Sequence, residues 1–208
     1  MWKKVKLKDI ALIKGGKRIP KGKKLTDAET PFPYLRVSDF GDNGTIDISN
    51  LKYVPESVFP EIKNYTIHSD DVYISIAGTI GKVGIIPDIL DGANLTENAA
   101  KLVLGDNCFN KYIALVLSSQ HVTEQIKENT RTAAQPKLSL QRMGEISIPL
   151  PPLAEQQRIV AKLDAAFAEI DGAIEAANAK ETEVEKLKTT LLNEFLGADT
   201  DNFKSLKI

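Results

Sequence analysis

The sequence has almost none of the residues on which metal and nucleophile chemistry commonly rests. Cys108 is the only cysteine, and His68 and His121 are the only histidines, in 208 residues. One cysteine forbids an intrachain disulfide and removes every cysteine-rich metal site. The histidines lie 53 positions apart, and no ligand or triad pattern surrounds either. Long apolar runs are missing too. The most apolar stretch, Ile113–Leu117, is far below the ~20 residues needed to cross a bilayer. The basic N-terminus carries no apolar segment of signal-peptide length. A cytoplasmic chain with no membrane partner is the expectation. No proline follows Pro152, so nothing of that kind interrupts the last quarter of the chain.

Net charge is −1, but the charge is unevenly spread. Residues 1–24 hold ten Lys or Arg against Asp9 alone. Such a cluster can set up a local positive field whatever the sum over the whole chain. With 42% hydrophobic residues the chain has enough apolar material for a core.

Two textures divide the chain. Over residues 1–150, short β-rich runs alternate with turn signals: PYLRVSDFGDNG, YTIHSDDVYISIAGTIGKVGIIPD and AAKLVLGDN. The runs Val72–Ile76 and Ile80–Ile86 flank Ala77-Gly78-Thr79 and predict a hairpin. Helices are expected around Tyr112–Leu117, in HVTEQIKEN and in LSLQRMG, before strand-like EISIPLP. From Leu153 onward Ala, Glu, Lys, Leu and Gln dominate. Leu163, Ile170, Ala177, Val184 and Leu191 recur every seven residues, the mark of a long helix with a coiled-coil seam. Gly197 is the expected stop, which makes the helix ~65 Å long at 1.5 Å per residue. One small domain cannot bury such a stripe, so a partner helix is implied. Leu163, Phe167, Ile170, Ile174, Val184, Leu187 and Leu191 are the candidate seam.

Catalytic motifs fail on inspection. Gly78-Thr79-Ile80-Gly81-Lys82-Val83 has two residues between its glycines and Val after Lys, so it is no phosphate loop. No Asn or Asp precedes a Pro-Pro-aromatic unit, as a base-methylating enzyme would require. Asp70 and Asp71 are adjacent, which in a strand points them to opposite faces. No catalytic residue and no metal site are assigned.

The stretch ISIPLPPLAEQQRIVAKLD, with Pro151, Pro152, Leu153, Glu155, Gln156 and Ile159 at its centre, resembles the specificity (S) subunits of type I restriction-modification systems. WKKVKLKDIALIKGGKRIP, PYLRVSDF, DVYISIAGTIGKVGIIP, LTENAAKLV and TAAQPKLSLQRMG support the resemblance along nearly the whole chain. It implies an α+β protein: a mixed α/β target recognition domain over 1–150, then a long conserved helix over 151–197 forming an antiparallel coiled coil, then a tail over 198–208. It also implies a non-catalytic role. Such subunits recognise double-stranded DNA and position a methyltransferase (M) subunit and a restriction (R) subunit. The S-adenosylmethionine, ATP and Mg would be held by those partners and no cofactor by this chain.

The usual S subunit is about twice this length, with two domains and two helices. This chain is either a natural half-length subunit, the favoured reading, or a shortened form of a longer one. A homodimer through the helix would restore the two-domain arrangement, with pairing to a different S chain left open. Lys14, Lys17, Arg18, Lys21 and Lys23, read as one glycine-containing loop, suit phosphate contact. Arg36, Ser38, Thr79, Lys82, Arg131, Gln135 and Lys137 are candidates for polar contacts near the groove. The alternative is a coiled-coil dimeric protein-interaction module with no DNA-reading role.

Overall fold

The computed structural model describes residues 2–130 and 136–204, with side chains as far as Leu196. Two compact units emerge, Met1–Val160 and Ala161–Ile208. Strands β1 (Lys4–Lys6), β2 (Ala11–Gly15), β3 (Pro33–Leu35) and β4 (Lys52–Tyr53) come first, followed by the short helix α1 (Phe59–Ile62). Next are β5 (Thr66–Ile67), β6 (Val72–Ser75), β7 (Val83–Gly84), β8 (Ala93–Leu95) and β9 (Ala99–Leu104). Helices α2 (Asn110–Leu117), α3 (Gln120–Thr130) and α4 (Leu140–Gly144), strand β10 (Ser147–Pro149) and helix α5 (Leu153–Lys204) complete the order. The α+β class and the long C-terminal helix are as the sequence implies.

The strands form two four-stranded sheets, ordered β2-β9-β6-β7 and β4-β3-β8-β5, and a two-stranded pair β1-β10. The first sheet is antiparallel throughout; the second contains one parallel pair, β3 with β8. Alternation along β6 divides the interior. Val72 and Ile74 join a core shared with α2, α3 and α4, while Tyr73 points to the opposite face and joins a second core with Phe40, Ile67 and Leu95. The Tyr73 ring stacks on Phe40 at 4.2 Å and its hydroxyl donates to the Thr45 carbonyl at 3.2 Å. Opposite Tyr73 in the β6–β7 ladder sits Gly84, where a Cβ would lie 2.5 Å from the Tyr73 hydroxyl and 2.3 Å from the Gly44 carbonyl oxygen. Only glycine closes that hairpin. Its reversal covers residues 76–82, longer than the expected three, with Gly78 and Gly81 at positive φ.

The adjacent Asp70-Asp71 forms a turn before β6, and burial makes its second member structural. Asp71, with Lys101 of β9, forms an ion pair of 2.6 Å whose side chains are 4% and 11% exposed. Asp71 also accepts the His68 backbone N–H at 2.9 Å. The isolated Cys108 is half-buried, and burial pushes its thiol pKa up, consistent with an inert thiol.

The N-terminal cations do not form one patch. Lys6 and Lys8 both pair with Glu145, at 2.6 and 2.5 Å, fastening β1 and the turn after it to the residue following α4. Lys14 lies within β2 opposite Lys101, not in a loop, and the five residues of β2 carry the chain ~17 Å on before Lys17 and Arg18.

Helix α5 opens with Pro152, whose carbonyl accepts the N–H groups of Glu155 and Gln156 at 2.9 and 3.1 Å. Gln156 and Val160 are buried and Val160 joins the first core, so the first two turns belong to the globular unit. In the second unit the helix continues through Gly197, the expected stop, to Lys204. A single glycine costs a helix only about 1 kcal/mol, so it is no barrier without a left-handed cap. From Ala161 to Leu196 only Leu163 is partly covered; all the rest is exposed. Among the described residues, no helix is long and apolar enough to cross a membrane.

Two stability outcomes are expected. Lys101→Met leaves the Asp71 carboxylate buried and unpaired and should cost about 3–5 kcal/mol in urea denaturation, with Asp71→Asn added to it recovering at least half. Glu145 is held at about 2, against an ordinary 4.5, by its bonds to Lys6 and Lys8. Its stabilisation is therefore present above the ordinary carboxylate range and lost as pH falls through about 2. The stability difference between the wild type and Glu145→Gln should be seen at pH 7, shrink below pH 4.5 and vanish near pH 2.

Candidate nucleic-acid interface

The register of the two sheets brings one set of strand ends together. Gly15 at the end of β2 faces Ala100 near the start of β9, and Ser75 at the end of β6 faces Ala99. The parallel ends of β3 and β8, Leu35 and Leu95, pair with each other. Every connection leaving these ends therefore emerges on one rim.

Thr96-Glu97-Asn98, which carries the chain from β8 in one sheet to β9 in the other, organises that rim. The Leu95 carbonyl accepts the Lys17 N–H at 2.8 Å, and the Ala99 carbonyl accepts the Gly16 N–H at 3.0 Å. The Asn98 carbonyl accepts from Ile76 at 2.7 Å and Ala77 at 3.2 Å. The Thr96 N–H donates to the Leu35 carbonyl at 3.0 Å, and Leu138 donates to the Ile76 carbonyl at 2.9 Å. At Gly16 a Cβ would lie 2.1 Å from the Thr96 carbonyl oxygen, so the glycine is required by the close approach of two backbones.

Of the sequence candidates, Lys17, Arg18, Arg36, Ser38, Thr79 and Lys82 lie on these connections, and Lys137, between α3 and α4, is bridged to Ala77 on one of them. Lys21 and Lys23 are exposed on the turn that follows, with Gly22 at φ +82° between them. Lys14 is exposed one residue before the end of β2. Arg131 and Gln135 lie outside the described residues.

The cations are in two states. Arg18 bonds Glu97 at 2.5 Å. Arg36 forks onto Asp39 at 2.6 and 3.1 Å and donates to the Asn50 carbonyl at 2.9 Å. Lys82 donates to the Phe40 carbonyl at 2.6 Å and pairs with Asp42 at 3.0 Å. Ser38 donates to Asp39 at 3.3 Å, and the Thr79 carbonyl accepts from the Ser75 hydroxyl. By contrast, Lys14, Lys21, Lys23 and Lys137 are exposed and make no ion pair among the described residues. Arg36 and Lys82 thus shape loops, while the lysines of the second group present charge to solvent.

Sequence reasoning passed over three rim residues. Glu97 is the partner of Arg18; burial would raise its carboxyl, but the Arg18, backbone and Thr96 bonds outweigh this and hold it below the usual range. Tyr65 lies under the Lys17 ammonium at 5.6 Å, and the Tyr34 hydroxyl donates to the Lys17 carbonyl at 2.8 Å. The signal for Glu97 was a Thr-Glu-Asn triplet interrupting an apolar run; the tyrosines left none. Among the described residues no cluster of His, Cys, Asp and Glu could hold a metal ion.

On α5, Phe167, Ile170, Ile174, Val184, Leu187 and Leu191 are each more than half exposed, and Leu163 is partly covered. They form an exposed apolar stripe on the second unit.

Comparison with known proteins agrees with this arrangement. The type I restriction enzyme EcoBI specificity subunit of Escherichia coli is 23% identical over 167 residues, covering 80% of this chain and 35% of its own length. The MjaVIII specificity subunit of Methanocaldococcus jannaschii is 25% identical over 198 residues, covering 92% and 44%. The crystal structure of the HsdS subunit from Thermoanaerobacter tengcongensis superposes with a TM-score of 0.71 at 22% identity, covering 93% of this chain and 49% of that one. A chain from a study of complex assembly and conformational transition of the type I R-M system gives 0.68 at 21% identity, covering 93% and 45%. This chain thus spans less than half the length of these relatives. The family model of the type I restriction modification DNA specificity domain matches residues 1–186, and to that family the chain belongs.

Proposed function

We propose that this chain is a non-catalytic DNA-recognition subunit that reads half of a bipartite site. The observation that carries the reading is the single rim, on a member of a DNA specificity family, where Lys14, Lys21, Lys23 and Lys137 are exposed, with no ion pair among the described residues, beside ordered polar loops. Such lysines suit phosphates, which set affinity and register. Base edges would be read by the polar groups between them, including Arg18, Ser38 and Thr79.

Two copies pair through α5 in antiparallel fashion. The apolar stripe supports this, being largely mirrored about Ala177. Leu163 and Leu191 lie 14 residues either side, Phe167 and Leu187 lie 10, and Ile170 and Val184 lie 7. A two-fold axis at Ala177 therefore sets apolar against apolar at three layers, with Ile174 facing the stem of Lys180. Along the paired helices the two Val160 joints are then about 51 Å apart at 1.5 Å per residue. That exceeds one DNA turn of about 34 Å, so each domain meets its own half-site. The methyltransferase and restriction subunits dock on this frame and supply the S-adenosylmethionine, ATP and Mg chemistry.

Single-molecule methylome sequencing of cells expressing this chain with its methyltransferase partner should reveal one symmetric, interrupted motif; a contiguous or absent motif counts against the reading. Lys21→Glu with Lys23→Glu should weaken DNA binding by the complex at least ten-fold and lower its log–log salt slope by about 2. Unchanged affinity would favour a protein-binding head instead. In sedimentation equilibrium, wild type should be dimeric and Leu163→Glu with Val184→Glu monomeric.

A further inference from the structure

We infer that Arg18 reads a guanine from the major groove and that Glu97 is the residue that positions it for this. The two are 79 positions apart, Arg18 following β2 and Glu97 preceding β9, and the pairing of those strands brings them together. Glu97 Oε1 accepts the Arg18 Nε–H at 2.5 Å, and Glu97 Oε2 accepts the Thr96 hydroxyl at 3.0 Å. The backbones on either side are tied as well. Lys17 donates its N–H to the Leu95 carbonyl at 2.8 Å and its carbonyl accepts from the Tyr34 hydroxyl at 2.8 Å. The Thr96 N–H donates to the Leu35 carbonyl at 3.0 Å. Even so, the Arg18 side chain is 75% exposed, against 25% for Glu97. Arg18 is thus an ordered cation turned to solvent, unlike Lys101, which is spent inside the fold.

Attachment through Nε decides what the rest of the guanidinium can do. The group is planar, so a partner at Nε leaves the edge formed by Nη1 and Nη2 for another acceptor. That edge presents two parallel donors. Guanine is the one base with two acceptors, O6 and N7, on its major-groove edge. Adenine sets an acceptor beside a donor, thymine has one acceptor beside its methyl group, and cytosine has a donor. A phosphate would also take two donors, but the Glu97 carboxylate lies against the arginine, offsets its charge and repels a phosphate. Lys21 and Lys23 are exposed with no ion pair among the described residues, so no carboxylate offsets their charge in this way. Contact driven by charge falls to such lysines, and the paired arginine is left for a neutral acceptor edge. This assignment rests on the proposed reading of the rim as a DNA surface.

The test uses the full chain in complex with its methyltransferase partner. Methylome sequencing gives the wild-type motif, which should hold a G·C pair in each half. Binding is then measured over a range of salt on that duplex and on duplexes in which each G·C pair is replaced in turn. Wild type should prefer guanine at the Arg18 position by roughly ten-fold or more. Arg18→Met with Glu97→Gln removes the ion pair without changing net charge. That double variant should lower the preference to under about three-fold at one position only, with the log–log salt slope unchanged. Glu97→Gln alone keeps the side-chain shape and the acceptor for Thr96, and it releases Arg18 to phosphate. It should lose the same preference, yet bind every duplex more tightly and steepen the slope by about 0.9 per copy. A slope that falls by about 0.9 per copy in the double variant makes Arg18 a phosphate contact and overturns the assignment. A guanine preference that survives the double variant, or a motif with no G·C pair in its halves, overturns it too. Glu97→Gln with discrimination and slope intact overturns the positioning role. If wild type yields no methylation motif, the proposed function fails and this inference with it; a motif indifferent to Arg18 defeats this inference alone.

Discussion

The crossing from β8 to β9 is the constraint on which the rest of the recognition unit depends. In three residues the chain leaves one sheet and enters the other, and its main-chain groups must still be satisfied. The carbonyls of Leu95, Asn98 and Ala99 take their bonds from Lys17, Ile76, Ala77 and Gly16, while the Thr96 N–H is given to Leu35. One short connection thereby orders three others. Gly16 is needed because the two backbones approach closer than any side chain allows, and Glu97 is placed to draw in Arg18. Loops of such length would otherwise have many conformations; here each is tied at its base to a sheet.

Charge serves two separate purposes in this fold. Where a cation meets a carboxylate it fastens segments far apart in sequence: Lys6 and Lys8 to Glu145, Lys101 to Asp71, Lys82 to Asp42. Where it meets none, on the rim, it stays available to an anion. The near-neutral total conceals this division, because the acidic residues are spent largely on fastening and on the outer faces of α5. A local field on one rim, rather than net charge, is what a DNA backbone would encounter.

Much of the architecture was legible locally. The β6–β7 hairpin, helices α2 to α4 and the onset of α5 follow from alternation, periodicity and prolines, which are properties of neighbouring residues. Reading Lys14 as a loop residue failed because the glycines after it suggested a turn two residues too early, whereas pairing with β9 extends the strand to Gly15. Gly197 looked like a stop because glycine is common at helix ends, yet no left-handed cap forms there. Lys82 looked like a free polar group because its partners, the Phe40 carbonyl and Asp42, are 42 and 40 residues away, whereas Arg36 forks onto Asp39 only three residues on and adds a bond to the Asn50 carbonyl.

The sequence alone determined the division into a mixed domain and a helix, the heptad stripe along that helix, and the proline joint between them. Each is encoded in short-range order, where residue type and spacing act directly on the backbone. Only the tertiary structure decided which cations are open and which are fasteners, why Gly16 and Gly84 admit no side chain, and that Gln156 holds the first turns of α5 to the β9–α2 connection. Those outcomes depend on partners tens of residues distant, brought together by strand register. Register is a cooperative property of whole sheets and is not carried by any local motif.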